Sequence, residues 1–291
     1  MTAGDLARAL ARLRWDPAQD PAAPVDPAAF RDAMWAMELW RRWFRATITG
    51  VEHLRAVEGA LLVSNHGALG LDLPALIKVI YDATHRPLRS LGDRVIFRTP
   101  GVRAAARAIG IVEGEPEATV RLLRHGELVL VYPGGAAEAV CAPEDRYKLM
   151  WDGHYGFVRT ALRAQVPIVP VAGIGVDETL VQVLSRARVR QSVVGRLVEA
   201  RLGDKYVPPV FMGAGFFPLP VPVRYLVGAP IDLASPPEAA RDQRVVEAAH
   251  ARVKAATEAL ITEGLRERAR EGERAGGGLG LRARIAALVE R

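Results

Sequence analysis

The chain has 291 residues, half of them hydrophobic and a quarter charged, enough for one sizeable α/β core or two small ones. Its single cysteine, Cys141, excludes an internal disulfide framework and any multi-cysteine metal site, which suits a reducing compartment. A formal charge of +6 favours anionic partners, whether nucleic acid, phosphate-bearing cofactors or acidic lipid surfaces, without choosing among them.

Residues 1–29, rich in Ala, Pro and Asp, read as a loose arm. Charges fall where a secretory signal would be apolar, so no leader is expected. Residues 30–50 read as an amphipathic helix. Phe30, Met34, Met37, Phe44 and Ile48 recur at helical spacing, Trp40 fills the same face, and Arg31, Glu38, Arg42 and Arg45 fall largely elsewhere. That pattern suits an interfacial membrane helix and equally an ordinary helix packed on the domain, and both readings stay open.

Residues 51–263 read as one α/β domain. "GALLVSNH" is a continuous apolar run ending in polar residues, as a strand covered on both faces should be. "DLPALIKVIYDAT" follows as a helix with Pro74 in its first turn, where a missing N–H is harmless. "GVRAAARAIG" and "EPEATVRLLRHG" read as helices closed by glycine. "ELVLVYPGG" is a strand feeding a turn, "YGFVRTALRAQ" a helix, "VPIVPVAGIG" and "VRYLVGAPIDL" strands, and residues 236–265 a long charged helix. Alternation of this kind predicts a mainly parallel sheet covered by helices on both faces. The segment 207–223 is apolar but broken by five prolines, which suits a loop better than a bilayer span. From Gly264 to residue 291 the chain is basic and interrupted by "GGGLG", the composition of a mobile tail.

In a sheet of this kind, sites collect beyond the carboxyl ends of the strands. "SNHGALGLD" places His66 there and Asp72 at the start of the next helix. A neutral imidazole can take a proton from a hydroxyl as its oxygen attacks a carbonyl, provided an acceptor on its other nitrogen fixes the tautomer. Asp72 can be that acceptor if the glycines at 67 and 70 fold the turn back. On spacing alone, the same pair fits a structural hydrogen bond.

"VSNHGALGLDLPAL", "LVYPGGAAEAV" and "VPIVPVAGIG", in that order, resemble the motif blocks of the lysophospholipid/glycerolipid acyltransferase superfamily over roughly residues 51–232. Within it the chain looks like the neutral-lipid branch of diacylglycerol acyltransferase-like and phytyl-ester-synthase-like proteins. The resemblance implies a glycerolipid-acyltransferase-like fold, with His66 as general base and Asp72 as its partner. It places Asn65, Gly67, Pro133, Gly134, Gly135 and Glu138 around the substrates, with Glu138 binding acceptor hydroxyls or pairing with an arginine. No bound cofactor and no metal are implied, and coenzyme A or an acyl carrier protein would deliver the acyl group as a thioester co-substrate. The expected partners are that donor, a lipid acceptor and a membrane surface met through residues 30–48, on the cytoplasmic face.

Three departures bear on the acceptor. Five residues separate His66 from Asp72, against the usual four of glycerophosphate-using members. Ala136 and Ala137 stand where those members carry Thr-Arg, and "EGEPEA" stands after "AIGIV" where they carry a further arginine. Without those guanidinium groups to clamp a phosphate, the acceptor is expected to be uncharged: diacylglycerol, monoacylglycerol or a long-chain alcohol. The alternatives are a lysophospholipid acyltransferase and a non-catalytic, membrane-associated lipid-binding protein, with a hydrolase or transacylase third. Arg186, Arg188 and Arg190, with Arg196, can meet phosphates of coenzyme A or of lipid headgroups, or simply form a solvated face. Nucleic acid is not expected, since the basic residues lack aromatic interleaving or a recognition motif. Cys141 has no nucleophile motif around it, and His154 is a candidate neighbour of the site.

Overall fold

A computed structural model of the chain describes residue 20 and residues 22–98, 102–192, 196–197, 199–200, 209–214 and 217–274. The first helix, α1 (Pro27–Trp43), starts at Asp26, whose side chain accepts the Ala28 N–H, with Pro27 in the first turn. It stops earlier than the periodicity suggests. Arg45 takes a left-handed turn (φ 45°), and residues 47–49 leave the helix to pair as strand β1 (Thr47–Thr49). Next come β2 (Ala60–Ser64), α2 (Leu73–Thr84), β3 (Leu88–Gly92), β4 (Ile111–Glu113), α3 (Pro116–Arg124) and β5 (Leu128–Val131). The short α4 (Gly135–Ala139), α5 (Gly156–Ala164) and β6 (Ile168–Ile174) follow. A hairpin-like pair, β7 (Val181–Leu184) and β8 (Val210–Met212), forms a separate two-stranded sheet ahead of β9 (Arg224–Val227) and α6 (Gln243–Arg274).

The main sheet has the order β1-β9-β6-β2-β5-β3-β4. From β6 to β4 every neighbour is parallel, whereas β9 runs antiparallel to β6 and β1 follows β9. The expected mainly parallel α/β sheet is therefore present, with two reversed strands at one edge. β2 lies in the middle, and its five residues are all buried, as its unbroken apolar run requires.

Helices cover both faces. Leu62, Leu130 and Val169 pack under α1 and α2 through Phe30, Met37, Leu76 and Ile80. Leu61, Val63 and Val129 pack under α3, α5 and α6 through Leu122, Val158 and Val253. The α1 face of Phe30, Met37 and Phe44 is thus spent on the protein core. Trp40 donates its indole N–H to Leu71 O (2.5 Å), and Trp43 donates to Pro218 O (3.0 Å). A different stripe, Trp35, Leu39 and Trp43 at four-residue spacing, is left facing outward.

The C-terminal helix also differs from expectation. α6 passes straight through Gly264 to Arg274, so the tail does not begin at 264, and residues 275–291 lie outside the described residues. Gly264 marks a close approach: a Cβ there would stand 2.5 Å from Ile174 Cγ1 on β6. Among the described residues, no helix is long and apolar enough to cross a membrane.

Candidate active site

β2, β5 and β6 end side by side, and their following loops converge. Asn65 sets the first of these loops. Its side-chain amide donates to Gly173 O (3.0 Å) and its Oδ1 accepts the Gly173 N–H (2.8 Å), locking the end of β2 to β6. Both ends of the Asn65 amide are thereby used on the scaffold, not left toward the substrate space.

The loop after Asn65 is tight. A Cβ on Gly67 would come within 2.5 Å of Asp72 Oδ1 and 2.7 Å of Val176 Cβ, so only glycine lets the aspartate sit under the turn. Leu69 and Gly70 both take positive φ (53° and 64°), which folds the chain back as the motif requires. A Cβ on Gly70 would lie 3.1 Å from His66 Cε1.

His66 Nδ1 stands 2.8 Å from Gly67 O. A carbonyl only accepts, so Nδ1 carries the proton and Nε2 is left with its lone pair. That is the tautomer a general base needs, but the main chain of Gly67 sets it instead of Asp72. No hydrogen bond joins His66 to Asp72. The aspartate is fully buried, its Oδ2 accepts the Tyr225 hydroxyl (2.9 Å), and its Oδ1 has no partner among the described residues. It acts on the imidazole through space. Burial pushes the His66 pKa below its ordinary value, while the Gly67 contact and the charge of Asp72 oppose that shift. Burial pushes Asp72 upward, against the Tyr225 hydrogen bond and the attraction of His66.

Glu138 has a task the motif did not disclose. Its Oε2 accepts the His66 backbone N–H (2.9 Å) and its Oε1 accepts the Met150 N–H (2.8 Å). The expectation that Glu138 meets acceptor hydroxyls or an arginine is corrected accordingly: the carboxylate is buried and braces the histidine loop from behind. Gly134 makes room for this brace, because a Cβ there would collide with the Glu138 carboxyl. Burial raises the Glu138 pKa, opposed by the N–H groups it accepts. Gly135 favours glycine for a different reason. Its φ is +50° and nothing lies within 4 Å of where a Cβ would be, so this side of the turn, with the half-buried Pro133, borders open space.

Two tyrosines complete the site. The Tyr132 ring stands 4.4 Å from the His66 ring, and Tyr225 reaches Asp72 from β9. Tyr132 had a sequence signal as the aromatic before Pro-Gly-Gly. Tyr225 had none, since a strand tyrosine looks like core. Behind the loop, the turn Val176–Glu178 brings Asp177, whose pKa burial lifts to about 7, and Glu178, which accepts from Tyr147 Oη (2.5 Å) and from Arg268 of α6 (3.1 Å).

The basic segment lies on a short helix, Arg186–Gln191, capped by Ser185. Arg190 pairs with Glu199 (2.6 Å), Arg188 is exposed, and the Arg186 side chain is outside the described residues. His154 is exposed, with Nδ1 against Met150 O (3.2 Å). Cys141 is half-buried, and burial with the nearby Asp177 charge pushes its thiol up to about 11, which keeps it protonated and a poor nucleophile. Among the described residues, no cluster of three or more His, Cys, Asp or Glu could hold a metal ion.

Residues 45–173 match the model of the Acyltransferase family. An uncharacterised protein of Mycobacterium tuberculosis is 36% identical over 200 residues, covering 66% of this chain and 53% of that one. The "DGAT1/2-independent enzyme synthesizing storage lipids" of Gallus gallus is 29% identical over 232 residues, 78% of this chain and 63% of that one. Its Homo sapiens counterpart is 28% identical over 189 residues, covering 65% and 54%. The chain thus spans between half and two thirds of the length of these relatives. Among solved structures, the 1-acyl-sn-glycerophosphate acyltransferase PlsC of Thermotoga maritima is similar at 17% identity and a TM-score of 0.49, covering 88% of each chain.

Proposed function

This chain belongs to the glycerolipid acyltransferase superfamily, and from that premise we propose that it moves a fatty acyl group from an acyl thioester to the hydroxyl of a neutral lipid acceptor. The observation that carries this reading is a half-buried, neutral imidazole with Nε2 left as base, above a buried aspartate at the end of the central strand. Nε2 takes the proton of the acceptor hydroxyl as that oxygen attacks the thioester carbonyl carbon. The tetrahedral intermediate expels the thiolate, which recovers the proton from the imidazolium. No covalent acyl-enzyme is needed, and the protonated Cys141 offers no competing nucleophile.

Charge supports a neutral acceptor. The carboxyls met by His66 are Asp72, whose charge acts on the ring, and Glu138, which accepts its backbone N–H, and the turn that would hold a phosphate-binding arginine carries Ala136 and Ala137. A doubly charged lysophosphatidate would meet repulsion there, whereas diacylglycerol, monoacylglycerol or a long-chain alcohol would not. The storage-lipid synthesis in the names of the vertebrate relatives fits the same acceptors. The working location in this reading is the cytoplasmic face of a membrane, touched through the outward residues of α1.

The test is an acceptor panel. Vesicle-bound protein is given labelled acyl-coenzyme A or acyl carrier protein with diacylglycerol, monoacylglycerol, a fatty alcohol and lysophosphatidate in parallel. Labelled ester is expected from the neutral alcohols. Product from lysophosphatidate alone would instead establish the lysophospholipid reading.

A further inference from the structure

Two buried polar atoms in the site lack a partner among the described residues: the Tyr132 hydroxyl, a donor, and Asp72 Oδ1, an acceptor. Leaving one such group unpaired in a dry interior is costly, and leaving a complementary pair so in one place calls for an explanation. The two share one space. Tyr132 lies against the His66 ring at 4.4 Å, and burial, with the Asp72 charge adding to it, pushes the Tyr132 hydroxyl to a higher pKa. Tyr225, the other hydroxyl of this space, already donates to Asp72 Oδ2 at 2.9 Å and to Asp72 O at 3.2 Å. The remaining groups facing Asp72 are the imidazole above it, which is held by Gly67 O, and Asp177 on the turn behind, which is itself an acid. Neither donates to Oδ1, and Glu138 is committed to the backbone of His66 and Met150.

We propose that Tyr132 is a positioning residue for the His66–Asp72 pair, its hydroxyl donating to the ionised Asp72 carboxylate at Oδ1. The ring fixes the imidazole plane by contact, while the hydroxyl serves the carboxylate beneath. Asp72 then holds its charge with one tyrosine on each oxygen. The catalytic meaning of this arrangement rests on the acyl-transfer reading above, but the electrostatic arrangement does not.

A donor on a buried carboxylate favours the ionised form, so removing it makes the pair take up its first proton at a higher pH. The experiment follows the His66 ring Cε1–H by NMR across pH in the full chain, with the resonance identified by its absence from His66→Ala. Tyr132→Phe keeps the ring and deletes only the hydroxyl. Its upper titration step is expected to rise by about half a unit to one unit, the size of one hydrogen bond. Tyr225→Phe, which removes a hydrogen bond already formed, is expected to move the same step in the same direction. A Tyr132→Phe titration that superimposes on wild type overturns the proposal, whatever Tyr225→Phe does. No substrate is added, so an acyl-transfer assay that stays silent counts against the functional reading alone.

Discussion

His66 is base-competent because its surroundings keep it neutral. Burial lowers its pKa, so the acid limb of the acyl-transfer rate is expected below the ordinary histidine value of about 6.5, readable from kcat/KM against pH. The same shift has a stability consequence. As pH falls through the unfolded value, the unfolded chain takes up a proton that the folded site resists, so stability is lost on acidification. His66→Gln removes that penalty, and its melting temperature relative to wild type is expected to improve between pH 7.5 and 5.5. Asp72→Asn deletes the charge that supports the imidazolium and should lower kcat by roughly 10²–10⁴, the usual weight of a proton-transfer partner. The two glycines of the Tyr-Pro-Gly-Gly turn separate cleanly. Gly134→Ala drives a methyl group into the Glu138 carboxyl and releases the His66 N–H, so activity and stability should fall together. Gly135→Ala meets no atom and bears only the positive-φ cost of about 1 kcal/mol, so its activity should survive. His66, Asp72 and the glycines could be read from their motif because the turn's shape depends on local residue types. The tyrosines and the Glu138 brace could not be read in full, because Tyr225 and Met150 meet the loop from 153 and 12 residues away from their partners.

At the level of elements, the strands that carry the site announced themselves through unbroken apolar runs: β2, β5, β6 and β9 lie where those runs are. The short strands did not. β1, with three residues, was hidden inside the amphipathic pattern of α1, and β4, also with three, gave too little sequence for a period to show. The reach of α6 departs from its sequence pattern for a physical reason. Gly264 reads as a helix end, yet here its missing side chain lets the helix lie against β6, and Arg268 one turn later is tied to Glu178. Gly264→Leu should therefore destabilise the fold by about 1–3 kcal/mol, despite its better helix propensity, because the added side chain would overlap Ile174 and Leu226. Chemical denaturation would check this, and a stabilised variant would contradict the packing described.

For the molecule as a whole, the proposed function raises the question of how a lipid would reach the site. α1 is anchored through Trp40 and shows Trp35, Leu39 and the edge of Trp43, whose indole N–H holds Pro218 O and whose ring has Phe217 beside it (6.2 Å between rings). An apolar strip of this kind on a chain with a net charge of +6 suits the surface of an anionic bilayer. The double variant Trp35→Ser with Leu39→Ser leaves the buried face of α1 intact, so it should keep its melting temperature and lose most of its cosedimentation with anionic vesicles. Unchanged cosedimentation would mean that another surface makes the contact. The membrane question was legible only in half: the sequence pattern marked α1 as amphipathic, but the residues it assigned to the apolar face pack on α2 and the sheet, and the outward stripe is a different set. The central claim is that His66 is the base that activates a neutral alcohol. It is tested most directly by offering labelled acyl thioester to diacylglycerol and lysophosphatidate together, with wild type and His66→Ala side by side. Triacylglycerol is expected as the main product, with a fall of roughly 10²-fold or more in His66→Ala. Equal rates in the two proteins, or product from lysophosphatidate alone, would contradict it.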